Sequence, residues 1–187
     1  MFGIESFQPT FCTSPDELIS LTGEKLRLII GQPVTRNWVL WNSQFDQWWC
    51  EWPVILATQD RQLEICVLND DQLAVSWDSI DLSKPLFPNS DGAGDHLFWK
   101  EDALPELANV KGQSIRELRI IEYRPQRTVL KDRQNSALVG KTISPSWLLN
   151  GLEFQFDRSC LSIWNALSGI GIDSSPLSGS DVRKTLL

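Results

Sequence analysis

The chain carries a copy of part of itself, and a repeat of this length limits the fold more than any single motif does. Residues 17–27, Glu-Leu-Ile-Ser-Leu-Thr-Gly-Glu-Lys-Leu-Arg, return in altered form at 106–116 as Glu-Leu-Ala-Asn-Val-Lys-Gly-Gln-Ser-Ile-Arg, an offset of 89. Glu17, Leu18, Gly23 and Arg27 match Glu106, Leu107, Gly112 and Arg116. Leu21, Glu24 and Leu26 have near matches in Val110, Gln113 and Ile115. The same offset sets Leu63-Glu64-Ile65-Cys66-Val67 on Leu152-Glu153-Phe154-Gln155-Phe156, and one deletion brings Leu73-Ala74-Val75 onto Leu161-Ser162-Ile163. The middles, 28–62 and 117–151, do not align. Agreement at both ends of a unit points to duplication, in which each copy buries its apolar face against its neighbour.

Each unit reads as a short helix followed by strands. Ser14 stands as an N-cap, Pro15 at the first helical position and Glu17 three residues after the cap. Gly23 and Gly112 are expected where a helix stops in a left-handed residue or a turn follows. β-rich segments predict strands at 26–30, 38–41, 54–57, 63–68 and 73–77, then at 115–123, 147–149, 152–156 and 161–164. Asn69-Asp70-Asp71-Gln72 and Asp157-Arg158-Ser159 supply turns for two hairpins. In those hairpins apolar and polar side chains alternate, which predicts sheets with one covered side.

The fold class expected is therefore α+β, mainly β: two diverged repeat units of short helix plus antiparallel strands, forming one sandwich- or half-barrel-like domain over 1–187. Unit 1 spans 16–82 and unit 2 spans 105–172. Between them 83–104 reads as a linker loop, and 173–187, rich in Ser, reads as a mobile polar tail.

Several functions are disfavoured by the composition. The net charge of −7 opposes phosphate backbones, so no nucleic acid is expected. That charge is uneven: Lys111, Arg116, Arg119, Arg124, Arg127, Lys131, Arg133 and Lys141 make the stretch 111–141 basic, which reads as a solvated strand face or a patch for an acidic partner. No apolar run reaches membrane-spanning length, and Met1-Phe2-Gly3-Ile4-Glu5 lacks the pattern of a secretory signal, so a cytoplasmic protein with no membrane partner is expected. Cys12, Cys50, Cys66 and Cys160 form no C-x-x-C pair and read as reduced structural thiols.

Catalytic signals are sparse. His96 is the sole histidine, so a multi-histidine metal site is out of reach and no metal or cofactor is expected. A Cys–His nucleophile would need His96 beside Cys50, Cys66 or Cys160; an exposed loop histidine is the simpler reading. Asp91-Gly92-Ala93-Gly94-Asp95 lacks the alternating carboxylates of a calcium loop. Asp70, Asp71, Asp78 and Asp81 read as turn and strand-end residues rather than as a glycosidase pair.

Tryptophan is the unusual component: nine residues, six of them (Trp38, Trp41, Trp48, Trp49, Trp52 and Trp77) within forty positions. Trp77 and Trp164 fall at strand positions that the repeat buries. Trp48 and Trp49 are neighbours on an extended segment and must face opposite ways, so a sheet covered on one side cannot bury both. One ring is expected to be exposed, covered by the N-terminal helix or held by a partner. The candidate binding residues are Trp41, Trp48, Trp49 and Trp52 with an acidic rim at Asp46 and Glu51.

The runs Leu152-Glu153-Phe154-Gln155-Phe156 and Leu161-Ser162-Ile163-Trp164-Asn165-Ala166-Leu167, with Trp52-Pro53-Val54-Ile55-Leu56, resemble segments of small bacterial proteins reading G-L-x-F-x-F and then L-x-I-x-N-A-L. The resemblance covers strand patterns and implies no activity. Taken together, the residues favour a non-catalytic binding protein whose partner is another protein: an adaptor, assembly factor or toxin-neutralising type. The alternatives are a barrel or sandwich holding a flat apolar or sugar ligand, and a carboxylate-dependent hydrolase.

Overall fold

Ser14 caps the first helix as expected: its Oγ accepts from Glu17 N at 3.3 Å, while Glu17 Oε2 accepts from Thr13 N at 2.9 Å. This helix, α1 (Pro15–Leu28), is not stopped by Gly23. Leu18, Thr22 and Leu26 recur at helical spacing and bury one face, and that burial carries the helix on to Leu28. Residues 26–30 are thus the helix end and its exit, not a strand. The left-handed residue falls at Gly31 (φ 90°). The second helix, α2 (Pro105–Val110), is followed at once by Gly112 (φ 81°), as expected.

The computed structural model describes residues 1–5, 7–69, 71–86, 96–129, 140–143 and 146–187. Two antiparallel sheets dominate. The first contains β1 (Phe11–Cys12), β2 (Arg36–Asn42), β3 (Gln47–Trp48), β4 (Val54–Ala57), β5 (Gln62–Leu68), β6 (Gln72–Trp77) and β7 (Leu97–Glu101). Its order is β1-β6-β5-β4-β2-β3, with β7 also paired to β2. A two-stranded ribbon, β9 (Gln126–Val129) and β10 (Gly140–Ile143), stands apart. The second sheet contains β8 (Glu117–Tyr123), β11 (Leu148–Gln155), β12 (Cys160–Asn165), β13 (Ile170–Asp173) and β14 (Val182–Leu186), in the order β13-β12-β11-β8-β14.

Both expected hairpins form. Ile65 lies opposite Val75 in β5–β6, and Phe154 opposite Leu161 in β11–β12. The two stretches expected at 147–149 and 152–156 are one strand, β11, whose register shifts between Leu149 and Gly151. The chain segments leaving the two helices also bond to each other: Gly31 N to Ile115 O, Ile115 N to Gln32 O, Val34 N to Gln113 O and Gly112 N to Val34 O, at 2.7–3.0 Å.

Leu63, Ile65 and Val67 of the first sheet meet Leu152, Phe154 and Phe156 of the second in one shared core, which α1 and α2 extend through Leu18, Leu26, Leu107 and Val110. Each fully buried leucine of this kind contributes roughly 1.5–3 kcal/mol. The first sheet is not one-sided, however. Its other face holds Trp38, Leu40, Ile55 and Cys66 under Ile4 and Phe7 of the N-terminal segment and Ile80 of the chain after β6. Alternation along β5 therefore separates two buried faces rather than a dry one from a wet one.

Two segments expected to be irregular contain strands among their described residues. The stretch 83–104 contains β7, which pairs with β2 from Trp38↔Glu101 to Asn42↔Leu97. The stretch 173–187 contains β14, which pairs with β8, and Arg183 and Lys184 bind buried glutamates there. In both cases sheet hydrogen bonds supply what a polar composition cannot. The Asp91–Asp95 loop, Asp70, Lys131 and Arg133 lie outside the described residues.

Candidate functional site

The tryptophan-rich region is built by the β2–β3 hairpin and the chain that follows it. Trp41 and Trp48 are cross-strand partners, and Phe98 of β7 flanks Trp41 on the other side, so three aromatic residues form a row across β7, β2 and β3. Trp41 is held from two directions. Its Nε1 donates to Asp46 Oδ1 at 3.0 Å, and Lys100 Nζ stands 3.5 Å from the ring centroid.

Trp48 and Trp49 do face opposite ways. Trp48 packs on the inter-sheet core, and Trp49 packs on the outer cluster with Trp52 at a ring separation of 6.5 Å. Phe2 of the N-terminal segment lies 5.5 Å from the Trp52 ring. Trp52 is only 5% exposed, so it is core. Trp41, Trp48 and Trp49 are half-buried, and Asp46 and Glu51 are exposed. The two acids do different things: Asp46 fixes Trp41, whereas Glu51 lines an open cleft of about 280 Å³ with Phe2, Asn69, Leu167 and Gly169.

The most exposed aromatic residues were not singled out from the sequence. Phe45, at the tip of the hairpin, is 63% exposed, and Phe98 is 44% exposed. Phe98 could have been found from its setting, an apolar triplet Leu97-Phe98-Trp99 in a stretch otherwise read as linker. Trp164, expected to be buried, is half-buried on the outer face of the second sheet; its neighbour Ile163 takes the core position. Trp77 is half-buried too, with Nε1 donating to Thr22 Oγ1 at 2.8 Å.

Burial and the nearby Glu64 push the Cys66 thiol up to about 12, and burial with Glu17 pushes Cys12 to about 11, so both stay protonated and inert. His96 is exposed, and its carbonyl accepts from Ser43 N. Among the described residues no three His, Cys, Asp or Glu side chains gather as metal ligands, and no helix is long and apolar enough to cross a membrane. Much of the basic stretch is taken up internally. Lys111 binds Glu101 and Asp102, Arg116 binds Asp157, Arg119 binds Glu117 and Glu153, and Arg124 lies on the Trp147 ring.

No family model matches the chain, and neither does any curated protein or solved structure.

Proposed function

We propose that the chain is a non-catalytic protein-binding module of the cytoplasm, docking its partner on the aromatic row Phe98–Trp41–Trp48, with Phe45 at the tip of the β2–β3 hairpin beside it. The observation that carries this is the placement of that row. It runs to β7, which has no strand on its far side among the described residues, and it grows more exposed toward that edge. An open edge offers backbone hydrogen bonds to an extended segment, and adjacent aromatic rings supply apolar anchors. The acidic charge of the chain and of Asp46 favours a partner segment that carries basic residues. Unpaired cysteines suit a reducing compartment.

The test uses the full chain and its Phe98→Ala and Phe45→Ala variants. The partner is captured from host lysate, identified by mass spectrometry, purified and titrated against all three proteins. A loss of about 2 kcal/mol for Phe98→Ala with an unchanged melting temperature supports the docking site. Equal affinity of the wild type and both variants removes it.

We infer as well that the two halves are diverged copies. In favour stand the parallel order of elements and a shared arrangement at mid-sheet. Glu64 lies opposite Ser76, Glu153 lies opposite Ser162, and both glutamates are buried. The reciprocal bonding of 31–34 with 112–115 pairs Gly31, not Gly23, with Gly112. On that reading the offset is 81 around the helix exits, 89 on the first strand of each hairpin and 86 on the second, where Ser76 rather than Ala74 matches Ser162. A longer α1 in the first half and a longer connection in the second would account for the difference.

A further inference from the structure

Between β8 and β11 the chain leaves the second sheet to form the ribbon β9–β10, which pairs with neither sheet. Tyr123 lies opposite Leu148, so Arg124 and Trp147, the next residue along each strand, stand where the ribbon departs. Two guanidinium groups share the Trp147 indole there. Arg124 Cζ and Arg183 Cζ each lie 4.8 Å from the ring centroid.

The two arginines differ in what neutralises them. Arg183 is gripped by Glu122, its Nε donating to Oε2 and its Nη2 to Oε1 at 2.6 Å each. Arg116 and Arg119, at the start of β8 and on it, also have carboxylate partners in Asp157 and in Glu117 and Glu153. Arg124 has none. Its backbone N–H donates to Asp181 O, but among the described residues its side chain makes no ion pair or hydrogen bond. Its Nε is buried without a partner and lies beyond a ligand's reach, so the Nη atoms are the donors left to one. A half-buried cation held on an aromatic ring with no counter-ion is completed by an anion, and a carboxylate matches the fork of a guanidinium.

The surrounding sequence says what kind of anion. From Arg124 to Lys141 five basic residues (Arg124, Arg127, Lys131, Arg133 and Lys141) stand against Asp132, a net +4 in a chain of net −7. The remainder is therefore −11. A short acidic segment meets the basic stretch alone, whereas a long polyanion such as nucleic acid runs on into the acidic body and is repelled.

We propose that Arg124 and Trp147 anchor a second docking surface, which takes an acidic segment of a protein partner. A carboxylate of that segment accepts from the Arg124 Nη atoms, and the basic stretch beyond steers the segment in. This surface lies on the other sheet from the aromatic row at β7 and suits a partner of the opposite charge; neither reading depends on the other.

The probes are a fluorescein-labelled peptide of alternating Glu and Ser, its Gln-Ser counterpart and a short oligothymidylate. Each is titrated into the full chain and followed by fluorescence anisotropy, and the Trp147 indole N–H is read by nuclear magnetic resonance in ¹⁵N-labelled protein. The acidic peptide should bind saturably with a shift at Trp147, and the neutral peptide should bind about tenfold more weakly or less. Arg124→Gln should cost the acidic peptide about tenfold, whereas Arg27→Gln, which removes the same charge from an exposed position on α1, should cost less than about twofold. Equal losses in the two variants would reduce the effect to net charge and overturn the site. Absence of the Trp147 shift in the wild type overturns it too, a readout that stands even where Arg124→Gln does not fold. Tighter binding of the oligothymidylate than of the acidic peptide overturns the choice of a protein partner.

Discussion

The outer faces of the two sheets meet one problem in two ways. Each sheet places a glutamate at the same point of its central hairpin, and each glutamate is buried. In the first sheet Glu64 is satisfied by neutral groups. Its Oε1 accepts from Gln62 Nε2 of the same strand and from Ser79 N and Ile80 N, and its Oε2 accepts from Ser79 Oγ; Ser79 and Ile80 belong to the chain as it leaves β6 to cover that face. In the second sheet Glu153 is satisfied by cations. Lys184 Nζ of β14 stands 2.5 Å away and Arg119 3.3 Å, with Gln155 and Ser162 beside them. The difference follows from cover: apolar residues of the N-terminal segment seal the first outer face, whereas the second keeps polar side chains and a cavity. A dry face tolerates a carboxylate only amid dense hydrogen bonding, and a wetter one admits ion pairs.

The sharpest way to break this comparison is to remove each charge in turn. Glu153→Gln leaves Lys184 without its anion, while Arg119 keeps Glu117, and should cost about 3 kcal/mol of unfolding free energy in denaturant titration. Glu64→Gln leaves neutral donors in place and should cost about 1–2 kcal/mol. Adding Lys184→Gln to Glu153→Gln should recover part of the loss, a coupling that Glu64 cannot show with any cation. Equal costs for the two single variants would mean that charge pairing is irrelevant to Glu153.

The sheets differ next in glycine. No strand of the first contains one, while Gly151 and Gly171 of the second make room for Trp164. Gly171→Val should displace the indole and cost about 1–3 kcal/mol by overcrowding, with a changed Trp emission spectrum. An unchanged spectrum would show that Trp164 is not held by that contact.

Acid should weaken both sheets, each through a carboxylate held low by its cations. Burial pushes the Glu153 carboxyl up, but hydrogen bonds from Lys184 and Gln155 with the Lys184 charge outweigh it and hold the group below its ordinary value. Hydrogen bonds from Arg36 and Lys111 hold Glu101 at about 2. Both are lower when folded than unfolded, so their stabilisation is complete above about pH 4.3 and disappears as pH falls through the folded values. Stability measured from pH 5 to pH 2 should fall less steeply in Glu153→Gln than in the wild type. Salt at about 1 M should weaken the exposed Glu101 pairs and spare Glu153. The smallest effect belongs to Phe45→Ala, which should leave stability within about 0.5 kcal/mol because the ring is exposed. A larger loss would place Phe45 in native packing and weaken its claim to a docking role.

The legible part of the fold is the part governed by neighbours in sequence. Ser14, Pro15 and Glu17 announce the start of α1, and the alternations at 63–67 and 152–156 announce both central strands, because caps, turns and strand periodicity act within a few residues. The end of α1 was not legible at Gly23, since burial of Leu26 and Ile29 against distant strands outweighs the local cost of glycine in a helix. The opposed facing of Trp48 and Trp49 was readable from strand geometry; which of the tryptophans is core was not. Trp52 is buried beside Phe2 and Trp164 is displayed on an outer face, and both outcomes depend on segments remote in sequence.

What the residues determined unaided is a mainly β chain with an N-capped helix, two hairpins and tryptophans that cannot share one face. The tertiary structure alone decided that both faces of the first sheet are covered, that 97–101 and 182–186 become edge strands, and that Arg124 and Trp147 meet where the ribbon leaves the second sheet. Local pattern records which side of a strand a residue takes, because that is set by backbone geometry. It holds no record of what lies above that side, because cover is supplied by chain tens of residues away, through contacts that exist only once the sheets have met.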